Sequence, residues 1–507
     1  MGGINMSPSM SQDVKHENSL SDAMKALSSL AVNSVRCPHR LAYHFMAPAA
    51  WINDPNGMIF FQDEYHMFYQ IHPFSGTNGL KHWGHAKSKD LVHWEHLPMA
   101  LAPSEEFEKN GCFSGTAVDN DGVFTLIYTG NSVTVDEVTG NTTKKQVQCV
   151  AMSYDGGITF HKYSGNPVIS DFPVDGSADF RDPKVWKAND TWYMSVGSGK
   201  DGIANALIYK SANLLDWEYA GKMAESVGDQ GVIWNCPDFF SIGETDVFLV
   251  SPAVWPGQTH GRKAIYFTGK MDYASGKFLP QLDEDIDYGC DFYAPQTLGD
   301  DRGRVILIGW MDMWWNTMPS KQFDWTGAMT IPRLVTLLPD GKLAFQPVSE
   351  LQMLRDNHFQ LINRKVMPES FNLFGDLQGD ALEIVARFDL TSCEAASFGL
   401  KLRRSAGGEQ ETLVKYDVAS GVLTVDRTKS GAGDTHNCLR KLHAAGGMLE
   451  LHIFVDRSSV ELFADEGRTV ITNRIYPDPT SQGIDLFAEG GGVMVTSIDI
   501  WKLKSIW

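Results

Sequence analysis

WINDPNG, residues 51–57, sets an Asp between an Asn and a Pro at the end of an apolar run. As turn chemistry, Asn53 to Gly57 closes a strand and does nothing more. The other reading makes Asp54 a working carboxylate that the turn holds in place. The rest of the chain bears on the choice, because the pattern returns. FRDPKVW (180–186) puts Arg181 and Asp182 before a Pro, WNCPDFF (234–240) puts Asn235 two residues before Pro237, and DFYAPQ (291–296) puts Tyr293 two before Pro295. Proline confined to strand starts accounts for the prolines. It does not account for the Asp and Arg side chains that accompany them.

These segments lead repeats. Strongly β-forming stretches occur at EYHMFYQ (64–70), FTLIYTG (124–130), TWYMSVG (191–197), DVFLVSP (246–252) and RVILIGW (304–310), about 60 residues apart, and self-similarity at long period marks propellers and solenoids. A second pattern recurs between them: SKDLVHWEHL at 88 and SANLLDWEYA at 211 share Ser, Leu, Trp and Glu in register, with SYDGGITFHKY at 153 and MDYASGKF at 271 in equivalent places. Five such units suit five four-stranded blades around an axis. Past residue 345 the texture changes to alternating apolar and polar residues, as in LELHIFVDRSSVELFA, the mark of antiparallel strands with one wet face. The expected architecture is therefore all-β: an N-terminal extension (1–36) with a short helix over SLSDAMKALSSLAV (19–32), a five-bladed β-propeller (37–345), and a C-terminal β-sandwich (350–507).

Composition narrows the partners. The 507 residues carry 43 Lys and Arg against 62 Asp and Glu, a net charge of -19, which disfavours a nucleic-acid backbone and favours neutral ligands. The opening residues have no basic segment followed by a long apolar one, and no later run reaches the length of a membrane span, so the expectation is a cytoplasmic protein. Seven cysteines, with no C-x-x-C pair, fit neither a disulfide framework nor a zinc site and are expected as reduced thiols.

A propeller gathers the inner strand of every blade at one funnel, so polar residues at equivalent points of different repeats can converge. Repeat one offers Asn53, Asp54 and Asn56, then Gln70 and Trp83, and its tail supplies FSG at 113–115; repeat three offers Arg181 and Asp182, repeat four Asn235, repeat five Tyr293. Acidic and amide groups beside Trp51, Trp83, Trp310, Trp314 and Trp315 suit a sugar, which presents hydroxyl edges and weakly apolar faces. No spacing among the Asp residues supports a metal cluster, and no cofactor is expected.

WINDPNG, FSG, FRDP, CPDFF and DFYAPQ, in that order, resemble the marker segments of family 32 glycoside hydrolases, the invertases and fructanases. The resemblance runs from about Tyr43 to the end. IGWMDMWWNTMPSKQFDWTGAMTIPR and VDRSSVELF further resemble the bacterial cytoplasmic sucrose hydrolases and sucrose-6-phosphate hydrolases within the family. It implies a five-bladed propeller with a C-terminal sandwich, and a retaining mechanism with two carboxyl groups about 5 to 5.5 Å apart. By position, Asp54 is then the nucleophile on the fructosyl unit, Asp182 stabilises the transition state, and Arg181 tunes the charges. Asn53, Gln70, Trp83, Phe113 and Ser114 resemble the fructose-pocket wall, with Tyr293 and Trp310 as further sugar contacts. The implied partner is a small fructoside such as sucrose.

One position departs from the pattern. Where the family reads Glu-Cys-Pro, this chain reads Asn235-Cys236-Pro237. The resemblance assigns that Glu the acid/base role, and an amide has no titratable proton. A disabled catalyst, a protein that kept sugar binding and shed hydrolysis, and a substitute carboxylate such as Asp238 all fit the sequence. Alternating strand faces point Asp238 away from position 235.

Overall fold

The computed structural model describes residues 10–253, 261–442 and 445–507. Its first part is five antiparallel sheets, built in the order the repeats predict. Blade one is Ala50–Phe61, Glu64–His72, His82–Ser88 and Trp94–Leu101; blade two is Cys112–Asn120, Val123–Val135, Thr142–Ser153 and the short His161–Lys162; blade three is Phe180–Ala188, Thr191–Lys200, Ile203–Ser211 and Glu218–Glu225. Blade four is Trp234–Ile242, Thr245–Pro252, Ile265–Asp272 and Lys277–Asp285, and blade five is Tyr293–Gly299, Val305–Trp310, Arg333–Leu337 and Leu343–Pro347. The five recurrent β-forming stretches are the second strand of each blade. They are buried nearly end to end, which explains why they stand out as apolar runs. The first strands touch one another around a closed ring, one to two, two to three, three to four, four to five, and five back to one. Trp325–Thr326 adds a short parallel pairing to Ala50–Trp51.

FSG belongs elsewhere than expected. Residues 113–115 are not the tail of the first repeat but lie in the inner strand of blade two. Blade two has Gly115 where the other blades have Pro, so the shared signal was missed. A Cβ on Gly115 would sit 2.0 Å from the Ile127 carbonyl oxygen, closer than any side chain allows.

The second part packs a six-stranded sheet against a five-stranded one, between Arg355 and Leu503. Glu411–Asp417 alternates buried and half-buried positions along its whole length, as the polar–apolar alternation requires. Apolar side chains from the two sheets, among them Leu400, Val414, Leu451 and Ile498, form the sandwich core. The N-terminal helix runs Met10–Ser34, longer than the expected 19–32. The added turns are polar and carry no apolar period, although His16 accepts a hydrogen bond from the Ala102 amide at 3.1 Å. Among the described residues no helix is long and apolar enough to cross a membrane.

Charged groups tie the two parts together. His44 bridges Asp456 (2.8 Å) and Glu461 (2.9 Å), while Arg333 reaches Asp287 (2.9 Å), Glu461 (2.7 Å) and Thr472 (2.6 Å). The charged members are fully buried. Cys290, just before blade five, is disulfide-bonded to Cys438 in the sandwich, with Cα atoms 6.2 Å apart. This corrects the expectation of seven free thiols: the partners are 148 residues apart in sequence, and only the docking of the two domains brings them together.

Candidate active site

Every inner strand is bulged at the same level. The pairing register slips between Ile52 and Pro55, Phe113 and Gly115, Arg181 and Lys184, Asn235 and Asp238, and Tyr293 and Gln296. A bulge frees a residue from the ladder and re-aims its side chain, and Pro is tolerated there because no ladder N–H is needed. Asp182 (φ 62°), Cys236 (φ 46°) and Ala294 (φ 48°) occupy the left-handed region at these bulges, a strained conformation for residues with a Cβ. The four Pro segments and the Ser-Gly segment of blade two are thus five copies of one backbone device around the axis.

The bulges open on a cavity of about 500 Å³. Of the expected residues it is lined by Asp54, Gln70, Phe113, Arg181, Asp182, Asn235 and Tyr293. Cys236 stands between the two acids, its Sγ 3.4 Å from Asp54 Oδ2 and 3.5 Å from Asp182 Oδ2. The carboxylates therefore face each other across one thiol. Ser114 Oγ donates to Asp54 Oδ2 at 2.7 Å and Asn53 Nδ2 to Oδ1 at 3.1 Å. Gln70 Nε2 donates to Ser114 at 2.8 Å, and Trp51 Nε1 to Asn53 at 2.9 Å. Among the described residues every hydrogen-bond partner of Asp54 donates to it, so it is held as an acceptor with a fixed orientation.

Asp182 accepts the Cys236 amide at 3.0 Å, and Arg181 Nε lies 4.0 Å from it. Burial pushes its carboxyl up to about 6, with Arg181 pulling against that and Asp54 adding to it. Burial also raises the Cys236 thiol well above its usual range. Asn235 donates from Nδ2 to the Tyr293 hydroxyl at 2.8 Å, which in turn donates to the Pro252 carbonyl at 3.1 Å. Its Oδ1 is buried with no hydrogen-bond partner among the described residues.

Four of the expected sugar contacts sit behind the lining. Trp83 is fully buried and donates to the Phe113 carbonyl at 3.0 Å. Trp310 is fully buried beneath Trp314, with ring centroids 4.8 Å apart. Asn53 and Ser114 are fully buried too, and reach the cavity only through Asp54 and Gln70. Their type matched a sugar site, but inward position along a strand decides contact, and the bulges reset that position locally. Asp238 is likewise out of reach: it pairs with Lys184 at 2.6 Å and accepts the Thr297 amide at 2.5 Å.

The sequence reading above does not name Asn78, Lys81, Asn110, Asn131, Lys144 or Gln146; all line the cavity. They come from loops and second or third strands, where no repeated segment marks them. Trp314, among the tryptophans named as platforms, lines it as well. The loop bearing Trp314 is fixed from the sandwich side. Asn316 donates to Asp291 (2.6 Å) and Asp312 (2.8 Å), Asp291 accepts from Arg427 (2.7 Å) and the Arg474 amide (2.6 Å), and the Thr317 amide donates to Asp434 (2.8 Å).

Comparison with known proteins finds a match for each of the two parts. Residues 44–347 match the glycosyl hydrolases family 32 N-terminal domain, and residues 350–502 the family 32 C-terminal domain. The chain is 38% identical to a sucrose-6-phosphate hydrolase of Zymomonas mobilis, over 98% of this chain and 97% of that one. It is 35% identical to a raffinose invertase of Escherichia coli, over 91% and 94% respectively. Among solved structures, a Bombyx mori GH32 β-fructofuranosidase mutant in complex with sucrose is 31% identical, with a TM-score of 0.79 over 96% of this chain and 99% of that one.

Proposed function

The chain belongs to the family 32 glycosyl hydrolases, and from that premise we propose that it takes sucrose by its fructosyl end and acts on terminal β-D-fructofuranosides by double displacement. The observation that carries the reading is the pair Asp54 and Asp182 facing each other across Cys236 in one cavity with Asn235. Asp54, held by Ser114 and Asn53, attacks the anomeric carbon and forms a covalent fructosyl-enzyme. Asp182 receives hydrogen bonds from fructose hydroxyls that strengthen in the transition state.

Asn235 occupies the position from which the leaving oxygen would be protonated. Its amide holds Tyr293 and cannot supply that proton, so the first half-reaction is slow; a missing general acid typically costs ~10² to 10⁴ in rate. A protein that holds sucrose without cleaving it is the second reading, and the same amide favours it. Sucrose turnover by this chain and by Asn235→Glu separates the two. The hydrolase reading expects kcat to rise by roughly 10² or more in Asn235→Glu. Binding of sucrose by both forms with turnover by neither supports the binding protein instead.

A further inference from the structure

Asp54 is prepared for attack, and no group described beside it is prepared to give up a proton. Ser114, Asn53 and the Cys236 thiol all donate to its carboxylate. Asn235, which stands in the acid/base position, gives its amide to the Tyr293 hydroxyl at 2.8 Å and keeps Oδ1 buried with no hydrogen-bond partner among the described residues. It can accept a further hydrogen bond but has no acidic proton to lose.

The other proton carriers lining the cavity are committed. Lys144 and Arg181 both pair with Asp179. Tyr293 donates to the Pro252 carbonyl at 3.1 Å, and burial raises its phenol well above the ordinary range. Asp182 accepts the Cys236 amide at 3.0 Å, and its carboxyl, raised by burial to about 6, is ionised above that pH. Lys81 gives its hydrogen bond to Asn78 Oδ1 at 2.5 Å, and burial lowers its ammonium to about 7 while Asp54 opposes the shift. Among the described residues, the cavity thus holds an oriented nucleophile and no free carboxylic acid at neutral pH.

That division decides which bonds can break. When Asp54 attacks the anomeric carbon, the bond to the leaving oxygen breaks and its electron pair goes to that oxygen. A sugar alkoxide is a strong base and needs a proton at that moment; lacking one costs about 10² to 10⁴ in rate. A phenolate with electron-withdrawing groups is a weak base and departs with the pair unprotonated. The second step divides in the same way. Water attacking the fructosyl ester must shed a proton to a base, and Asn235 is not one. An anion such as azide attacks the carbon, the electron pair of the ester bond returns to Asp54, and no proton moves. In the ester Asp54 has lost its charge, which leaves Asp182 as the lining carboxylate against Lys81 and the two cations held by Asp179. The local charge then favours an incoming anion.

We propose that this chain is a fructosyl transferase for activated donors: it accepts β-D-fructofuranosides whose aglycone leaves as a stable anion, aryl fructosides above all, and passes the fructosyl group to small anionic nucleophiles. This rests on Asp54 acting as the nucleophile of the fructosidase reading, and adds the donor and acceptor classes that the cavity can use.

Steady-state kinetics of the full chain on aryl β-D-fructofuranosides of graded phenol acidity, from p-nitrophenyl to phenyl, test the donor class. kcat/KM reads the steps through departure of the phenolate, and should fall roughly fivefold or more for each unit by which the phenol's pKa rises. The p-nitrophenyl fructoside should exceed sucrose by roughly 10²-fold or more, and the gap should narrow to within roughly tenfold in Asn235→Glu. Added azide should yield fructosyl azide, detected by mass spectrometry, and raise the steady rate of the unaltered chain. A flat dependence on the phenol in the unaltered chain means that a substitute acid such as Lys81 is at work, and overturns the proposal with no variant needed. Fructose as the sole product in the presence of azide overturns the transfer. If Asn235→Glu cleaves sucrose while the unaltered chain leaves every aryl fructoside intact, the proposal falls and the fructosidase reading stands. If neither form cleaves any fructoside, both fall.

Discussion

Asp182 carries a conflict between stability and use. Its carboxyl keeps a proton up to about pH 6 in the folded chain, against about 4 in an unfolded one. The folded state therefore binds the proton more tightly, stability falls as pH rises from about 4 to about 6, and the loss persists above that window. Asp182→Asn removes the buried charge and keeps an acceptor for the Cys236 amide. It should stabilise the protein by on the order of 1–3 kcal/mol at pH 7.5 and by little at pH 4, in thermal melts at the two values. In an Asn235→Glu background the same change should abolish sucrose turnover, while the Asp182 form loses kcat/KM below about pH 6 as the carboxyl takes up its proton. The residues that line the cavity were legible in sequence where they fall on bulged strands, as Asp54, Asp182 and Asn235 do. Trp314 was named only as one of five possible platforms, because loop conformation, not strand period, brings it to the cavity.

At the scale of the element, one backbone irregularity recurs in five strands, and it can be tested where the sequence hid it. Gly115 packs against the Ile127 carbonyl with no room for a methyl group. Gly115→Ala should cost roughly 2 kcal/mol or more in denaturant unfolding and should also displace Ser114 from Asp54, lowering affinity for a fructoside together with stability. If the melting temperature is unchanged, the bulge has room this structure does not give it. The strands themselves were readable because second strands are buried on both faces and inner strands begin with Pro. Blade two escaped because its bulge uses Ser-Gly in place of X-Pro, and the helix start escaped because Met10 to Asn18 has no apolar period to read.

Across the whole molecule, the two domains meet through buried charges that no local pattern announces. Asp456 and Glu461 raise the pKa of His44 despite its burial, and both of those carboxyls are held below their usual range. The histidine's share of stability is lost as pH rises through its raised value, and the carboxylates' share as pH falls through their lowered ones, so the joint is firmest in between. His44→Asn should cost about 3–5 kcal/mol in unfolding free energy near pH 6, since it leaves the buried Asp456 without its ion-pair partner. The all-β character and the succession of propeller and sandwich followed from strand period and repeat length. The cross-domain disulfide and this network did not, since both depend on residues that only docking brings together. The anchoring of the Trp314 loop through Asn316, Asp291, Arg427 and Asp434 has a wider consequence. The tryptophan at the entrance is suspended from the far domain, so a substitution at Arg427, nowhere near the sugar, can retune which leaving groups the entrance admits, and selection can adjust substrate preference there without disturbing the machinery around Asp54.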